Sequence, residues 1–211
     1  SMADSPPQPR AGLAPLLRLA LLPALLVYLM ALGLSGAAGI DAELVLRDLA
    51  QTCQHPLGVG LLSNLGYLLW TAAAAIALFA ALSGVTGARG RHRQLLLLGG
   101  GFSLLLALDD MFLLHDRYVG STFLYALYAV FAVALLLRYR SLVPALGGVS
   151  FLVAVALLGG SVILDALQEA LPFGYNAVQL VEEGFKFLGI AAWLFFWWQA
   201  AAGASRLSAN P

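Results

Sequence analysis

The chain has 211 residues, of which 61% are apolar and only 10% charged, and its mean hydropathy is +0.88. Soluble domains carry about 25% charged residues, so a deficit of this size along the whole length excludes an ordinary soluble protein and indicates a polytopic membrane protein. Eleven basic residues balance eleven acidic ones, which gives no basis for nucleic-acid binding, and the single cysteine, Cys53, excludes an intramolecular disulfide and a Cys-rich metal site.

In chain order, Ser1-Met2 reads as a cloning remnant and the Pro-rich stretch to about residue 12 as a disordered tail. Crossing about 30 Å of hydrocarbon takes about 20 apolar residues. Six runs qualify, at roughly 13–35, 58–83, 95–116, 121–138, 142–168 and 177–199. They lack the period-2 alternation of a barrel strand, so the expected fold is an all-α transmembrane helix bundle of six spans in a single domain. The first run has features of a signal peptide, with Arg10 and Arg18 before it and small residues in "GLSGAAG" after it. Its apolar stretch exceeds the usual about 7–15 residues, so a retained span is the expectation. Next, "IDAELVLRDLAQ" predicts a short amphipathic helix over about 41–51, capped by Asp41 and apolar at Leu44, Val45 and Leu49, lying on the outer surface. Cys53 and His55 follow as one sparse pair of metal-capable side chains. Ser63 and Asn64 open the second span on its outer side, where they could line a cavity.

Arginines set the orientation. Arg10 and Arg18 precede span one, Arg89, Arg91 and Arg93 separate spans two and three, Arg138 and Arg140 separate four and five, and Arg206 follows six. Alternate connections are therefore basic, which marks them as cytoplasmic and puts both termini inside. The expected location is the plasma (inner) membrane. On this topology "FFWWQ" (195–199) is an inner aromatic belt, and Arg89, Arg91, His92 and Arg93 are topology determinants rather than a binding site. The glycines of "LLGGGF" (97–102) and "LLGGS" (157–161) read as close helix-packing positions.

The acids then separate by depth. Span three runs outward and ends in "LDDMFLLHD", with Asp109, Asp110, His115 and Asp116; span five ends outward with Asp165 and Glu169; span six starts outside with Gln179, Glu182, Glu183 and Lys186. Three helices thus deliver carboxylates to one layer in the outer half of the membrane. At about 100° per residue, Asp109 and Asp116 share a face of a continuous helix, Asp110 lies to one side and His115 about 120° to the other. Gln179, Glu182, Glu183 and Lys186 fall within an arc of about 100°. Such a stripe turns away from lipid, where each charge costs at least about 2.5 kcal/mol. Seven acids share the layer with two bases, Arg117 and Lys186. Crowded carboxylates must reach water, share protons or bind cations.

The first functional expectation is a metal-dependent intramembrane hydrolase acting on a lipid or peptide. Asp109, Asp110, His115, Asp165 and Glu183 would hold a divalent ion, with Zn, Mn, Fe, Mg and Ca not distinguished. Glu182 would act as general base and Lys186 would fix that base or stabilise developing charge. Asp116, Glu169, Gln179 and Asn64 are secondary members of the set. A cation or proton transporter or channel using the same carboxylates is the alternative, although the cytoplasmic halves offer no polar route and no matched broken helices; a homo-oligomer could build a pore that one chain lacks. The third is a non-catalytic metal-binding accessory or sensor protein. Glu182-Glu183-Gly184-Phe185-Lys186 resembles the EExxK element of PrsW-type intramembrane proteases, relatives of the CAAX-processing enzymes. In that family Glu, His and Asp motifs follow on later helices, whereas here the element is in the last span. "LDD" after an "SN" at the start of an earlier span is similar to the alkaline ceramidase superfamily, without the HxxxH that supplies zinc ligands there.

Overall fold

Helix is the conformation that lets an apolar run satisfy its own backbone polar groups without water. The computed structural model describes residues 17–47, 49–56, 58–84, 86–170 and 172–207, and these are helical with no strand among them. The chain forms two compact units, Ser1–Val59 and Gly60–Pro211. The tail expected over 1–12 lies outside the described residues.

In the first unit a π-helical turn, Leu17–Leu21, leads into α1 (Leu22–Ala37), with Pro23 in the first α-helical turn, where its missing N–H leaves no helical bond unmade. The α-helical part of the first expected span is therefore 16 residues, shorter than the run at 13–35 suggested. Gly39, at φ +74°, ends it: the Ile40 N–H donates to Ser35 O at 2.9 Å and the Gly39 N–H to Gly36 O at 3.1 Å. This is a Schellman closure, which needs a left-handed residue at that position. The amphipathic helix expected over 41–51 is divided into α2 (Ala42–Leu46) and α3 (Leu49–Cys53).

The second unit contains α4 (Leu61–Leu82), α5 (Gly90–Phe112), α6 (Ser121–Arg138), α7 (Leu142–Leu167) and α8 (Tyr175–Leu207). All five are long and apolar enough to cross a membrane. Two helices differ from expectation: α5 starts at Gly90 and stops at Phe112 instead of covering 95–116, and α8 continues past 199 to Leu207.

Glycines decide which helices approach closely. Gly100 of α5 lies against Leu78 of α4, Gly99 of α5 against the Trp197 ring of α8, Gly189 of α8 against Leu158 of α7, and Gly160 of α7 against Phe185 of α8. In lipid, where burial of apolar surface drives little helix association, such small-residue contacts are what allow backbones to pack. Trp193 sits at the centre, 1% exposed, with its ring near Trp70, Phe102, Phe151 and Trp197. Its indole N–H donates to Ser103 Oγ at 2.8 Å, and that hydroxyl donates to Gly99 O at 2.8 Å, so the buried polar groups are satisfied. The expected inner aromatic belt is corrected here: Phe196 and Trp197 are fully buried core, and only Phe195 and Trp198 face outward. The outer surface carries Phe79, Phe123, Val130, Val149, Leu180 and Leu188, all exposed, as expected where lipid is the solvent.

The arginines do more than mark a side. Arg93 donates from Nε to Ala81 O at 2.9 Å, at the end of α4, and Arg91 donates to Arg138 O at the end of α6. Both satisfy carbonyls that a helix C-terminus leaves open and add positive charge where the dipole favours it. His92, buried, bonds through Nε2 to Ala200 O at 2.9 Å, tying the start of α5 to α8. Near the same end α7 is interrupted at Gly147 (φ 144°), against which the Gln199 side chain packs; Gln199 accepts a 2.8 Å hydrogen bond from Ser150 Oγ.

Candidate functional site

The C-terminal end of α5 carries the decisive local event. The helix closes at Leu113, which adopts a left-handed conformation (φ 53°, ψ 45°) while its N–H still donates to Asp109 O. A π-helical turn, His115–Val119, follows. This reversal brings His115 back over the preceding turn. Its backbone N–H donates to Asp109 Oδ1 at 2.8 Å, and its Nδ1 lies 3.0 Å from the same oxygen. The expectation that His115 points about 120° away from Asp109 presumed a continuous helix; the break at Leu113 overturns it. Asp109 and His115 are both buried. Nδ1 thus faces Asp109, which orients the ring, and Nε2 is 3.5 Å from Asp116 Oδ1. The Tyr125 ring of α6 lies alongside the imidazole, with centroids 5.2 Å apart.

Asp110 takes a different partner. Lys186 of α8 donates from Nζ to Asp110 Oδ1 at 2.6 Å, a charge-assisted bond across two helices. Lys186 was expected to serve Glu182 one turn away on its own helix; its ammonium instead sits on Asp110. The second oxygen, Asp110 Oδ2, is buried and accepts no hydrogen bond. Gly66 of α4 lies beside it, where an added Cβ would be 3.6 Å from Oδ2.

These groups border one cavity of about 620 Å³. Asp109, Asp110, His115, Asp165 and Glu183, the five expected metal ligands, all line it, together with the two expected catalytic residues, Glu182 and Lys186. Asp116, Gln179 and Ser63 are also on its wall. Asn64 is not; its Oδ1 accepts a 3.0 Å hydrogen bond from the Tyr67 hydroxyl. Glu169 borders a neighbouring cleft of about 570 Å³ with Asp165 and Tyr175. The charged neighbours of the Glu182 carboxylate are Asp165, Glu183, Lys186 and Asp116. Among the described residues no three His, Cys, Asp or Glu side chains converge on one point within ion-binding reach. The polar groups instead stand around open space, two of the acids already paired.

Below the acidic rim the wall is apolar. Trp70, Phe102 and Trp193 form its floor, and Val155, Leu158, Ala129 and Ala132 its sides. Helix α6 makes this possible. Leu135 is its only buried residue among those described, and the helix is held near its C-terminal half by stacking of Phe131 and Tyr128 on Phe102. Its N-terminal half contributes Tyr125 and Tyr128 to the wall. These tyrosines were missed because a search for charge passes over them, although they are three residues apart on an otherwise apolar helix face.

Chemically, the arrangement combines an oriented imidazole, an Asp110–Lys186 ion pair, and carboxylates on α7 and α8, with an apolar wall. No curated protein and no solved structure matches the chain. A family model described as "Domain of unknown function (DUF8692)" matches residues 18–200, and the chain belongs to that family.

Proposed function

We propose that the protein is a membrane-embedded, metal-dependent hydrolase whose active site is the acid-rimmed cavity of the second unit. One observation carries the reading: His115, oriented by Asp109, opens into the same cavity as carboxylates from two further helices, over an apolar floor suited to a lipid or peptide chain. In this reading His115, Asp116, Asp165 and Glu183 are the residues that would hold a divalent ion. Asp109 positions the imidazole, as carboxylates behind metal-bound histidines do. Bound metal would supply Lewis acidity toward a water molecule. Glu182 takes the proton from that water and returns it to the leaving group, so that the water's elements are added across the scissile ester or amide bond. Lys186 pairs with Asp110 and braces α5 against α8.

Six crossings complete the proposed topology. The helical path of 17–37 covers about 31 Å at about 1.5 Å per residue, enough to supply the sixth. Both termini lie in the cytoplasm of the inner membrane, and the cavity opens toward the extracytoplasmic side. The arginine-capped ends of α4 and α6 support this orientation.

Elemental analysis of the purified protein tests the reading. Stoichiometric divalent metal, lost in His115→Ala and retained in Glu182→Gln, is expected. Metal-free protein whose melting temperature does not respond to added divalent ions or to EDTA overturns it. Cation or proton transport is a second reading, favoured by the interruption of α7 at Gly147 with its Gln199–Ser150 pair, a polar point at the opposite end of the bundle. It predicts gradient-driven flux in proteoliposomes that Glu182→Gln abolishes.

A further inference from the structure

The cavity is chemically two-sided, and its two sides specify a ligand. Its wall carries six acids against one lysine and one histidine. Asp109 is engaged by His115, Asp110 by Lys186, and Asp116 approaches His115 Nε2. Asp165, Glu182 and Glu183 line the same wall and make no ion pair among the described residues. An anionic head group would add repulsion to an already uncompensated field, whereas a cation would relieve it and supply donors to acceptor-only groups.

The opposite side is a slot between α6 and α7. Ala129 and Ala132 line it from α6, and Val155, Leu158, Gly159 and Val162 from α7. Small side chains give it width: a Cβ built at Gly159 would meet nothing within 4 Å. Helix α6 is the least buried of the five long helices, so the slot borders the element with the fewest packing constraints. The cavity volume of about 620 Å³ lies within the about 300–1,000 Å³ of ordinary ligand pockets.

We infer that the cavity binds a long-chain amphiphile with an ammonium head, the alkyl chain in the α6–α7 slot and the head among Asp165, Glu182 and Glu183. This rests on the reading of the cavity as the substrate site and narrows that substrate to chains whose polar end carries an amine. The flanking tyrosine Tyr125 adds an aromatic wall of the kind that favours alkylated ammonium groups.

Equilibrium binding of radiolabelled dodecylamine to the full chain, reconstituted in nanodiscs of zwitterionic lipid, tests the inference. Saturable binding at one site per chain is expected, with dodecyl phosphate at least tenfold weaker as a competitor. Asp165→Asn with Glu182→Gln should weaken dodecylamine at least tenfold. Gly159→Leu, which fills open space, should lower affinity for dodecylamine while sparing butylamine; Ala132→Phe is the second variant if that one does not fold. Equal competition by dodecyl phosphate, or no saturable amine binding by protein with a cooperative thermal transition, overturns the inference. Repeating the titration after EDTA separates the two proposals. Amine binding by metal-free protein supports this inference whatever becomes of the metal reading, and metal binding without amine binding refutes this inference alone.

Discussion

Asp109 and Asp110 are adjacent in the chain, yet each serves a different neighbour because successive positions on a helix are about 100° apart. Asp109 turns toward the reversed segment and takes His115, while Asp110 turns toward α8 and takes Lys186. Asp110→Ala would leave the Lys186 ammonium with 29% side-chain exposure and no carboxylate on it. A loss of about 3 kcal/mol is expected, at the low end for a broken buried pair because Lys186 keeps some contact with water. Asp110→Asn with Lys186→Met should lose far less, and thermal unfolding of the purified variants checks both. Asp109→Asn keeps the shape but weakens the hold on the imidazole. Divalent-ion affinity should then fall about 10–100-fold with little change in melting temperature, measured by titration calorimetry. That these two residues turn away from the lipid side was legible from their depth in an apolar run, and both line the cavity. Their partners were not, since one comes from a distant helix and the other from a change in backbone direction.

Two features of single helices have wider effects. Leu113 occupies a left-handed conformation that costs an ordinary L-residue about 1–2 kcal/mol. A β-branched residue suits it worse and glycine better, so Leu113→Gly should melt at a higher temperature than Leu113→Val. Gly99 and Gly101 form a sharper pair. A Cβ at Gly99 collides with the buried Trp197 ring, whereas one at Gly101 meets nothing within 4 Å. Gly99→Ala should destabilise by about 1–3 kcal/mol, as overpacking does. Gly101→Ala should be neutral or stabilising by up to about 1 kcal/mol through helix propensity. The run "LLGGGF" announces close packing, but three glycines in a row cannot say which one faces the neighbour; the rotation of α5 against α8 does. The same holds for "FFWWQ", where burial of Phe196 and Trp197 and exposure of Phe195 and Trp198 follow from α8 passing through the middle of the bundle.

At the scale of the whole molecule the proposed orientation has a direct chemical test. Cys53 is the single cysteine and is exposed. A membrane-impermeant maleimide should label it in intact cells, while Cys53→Ala carrying Arg140→Cys should be labelled only after permeabilisation; the reverse pattern refutes the topology. The apolar solvent and the helical fold could be read from the sequence, because composition and the rise per residue are local properties that survive whatever the helices do to one another. The gathering of carboxylates from three helices at one cavity agrees with that reading. The tertiary structure decided the rest: that α6 lines a cavity with α5, α7 and α8, that Lys186 hydrogen-bonds Asp110, and that His115 folds back on Asp109. These depend on relative helix rotation, set by a few glycine contacts between distant segments, and on one left-handed residue at Leu113. Hydrophobic periodicity registers neither, because it records which face is apolar and not what that face meets.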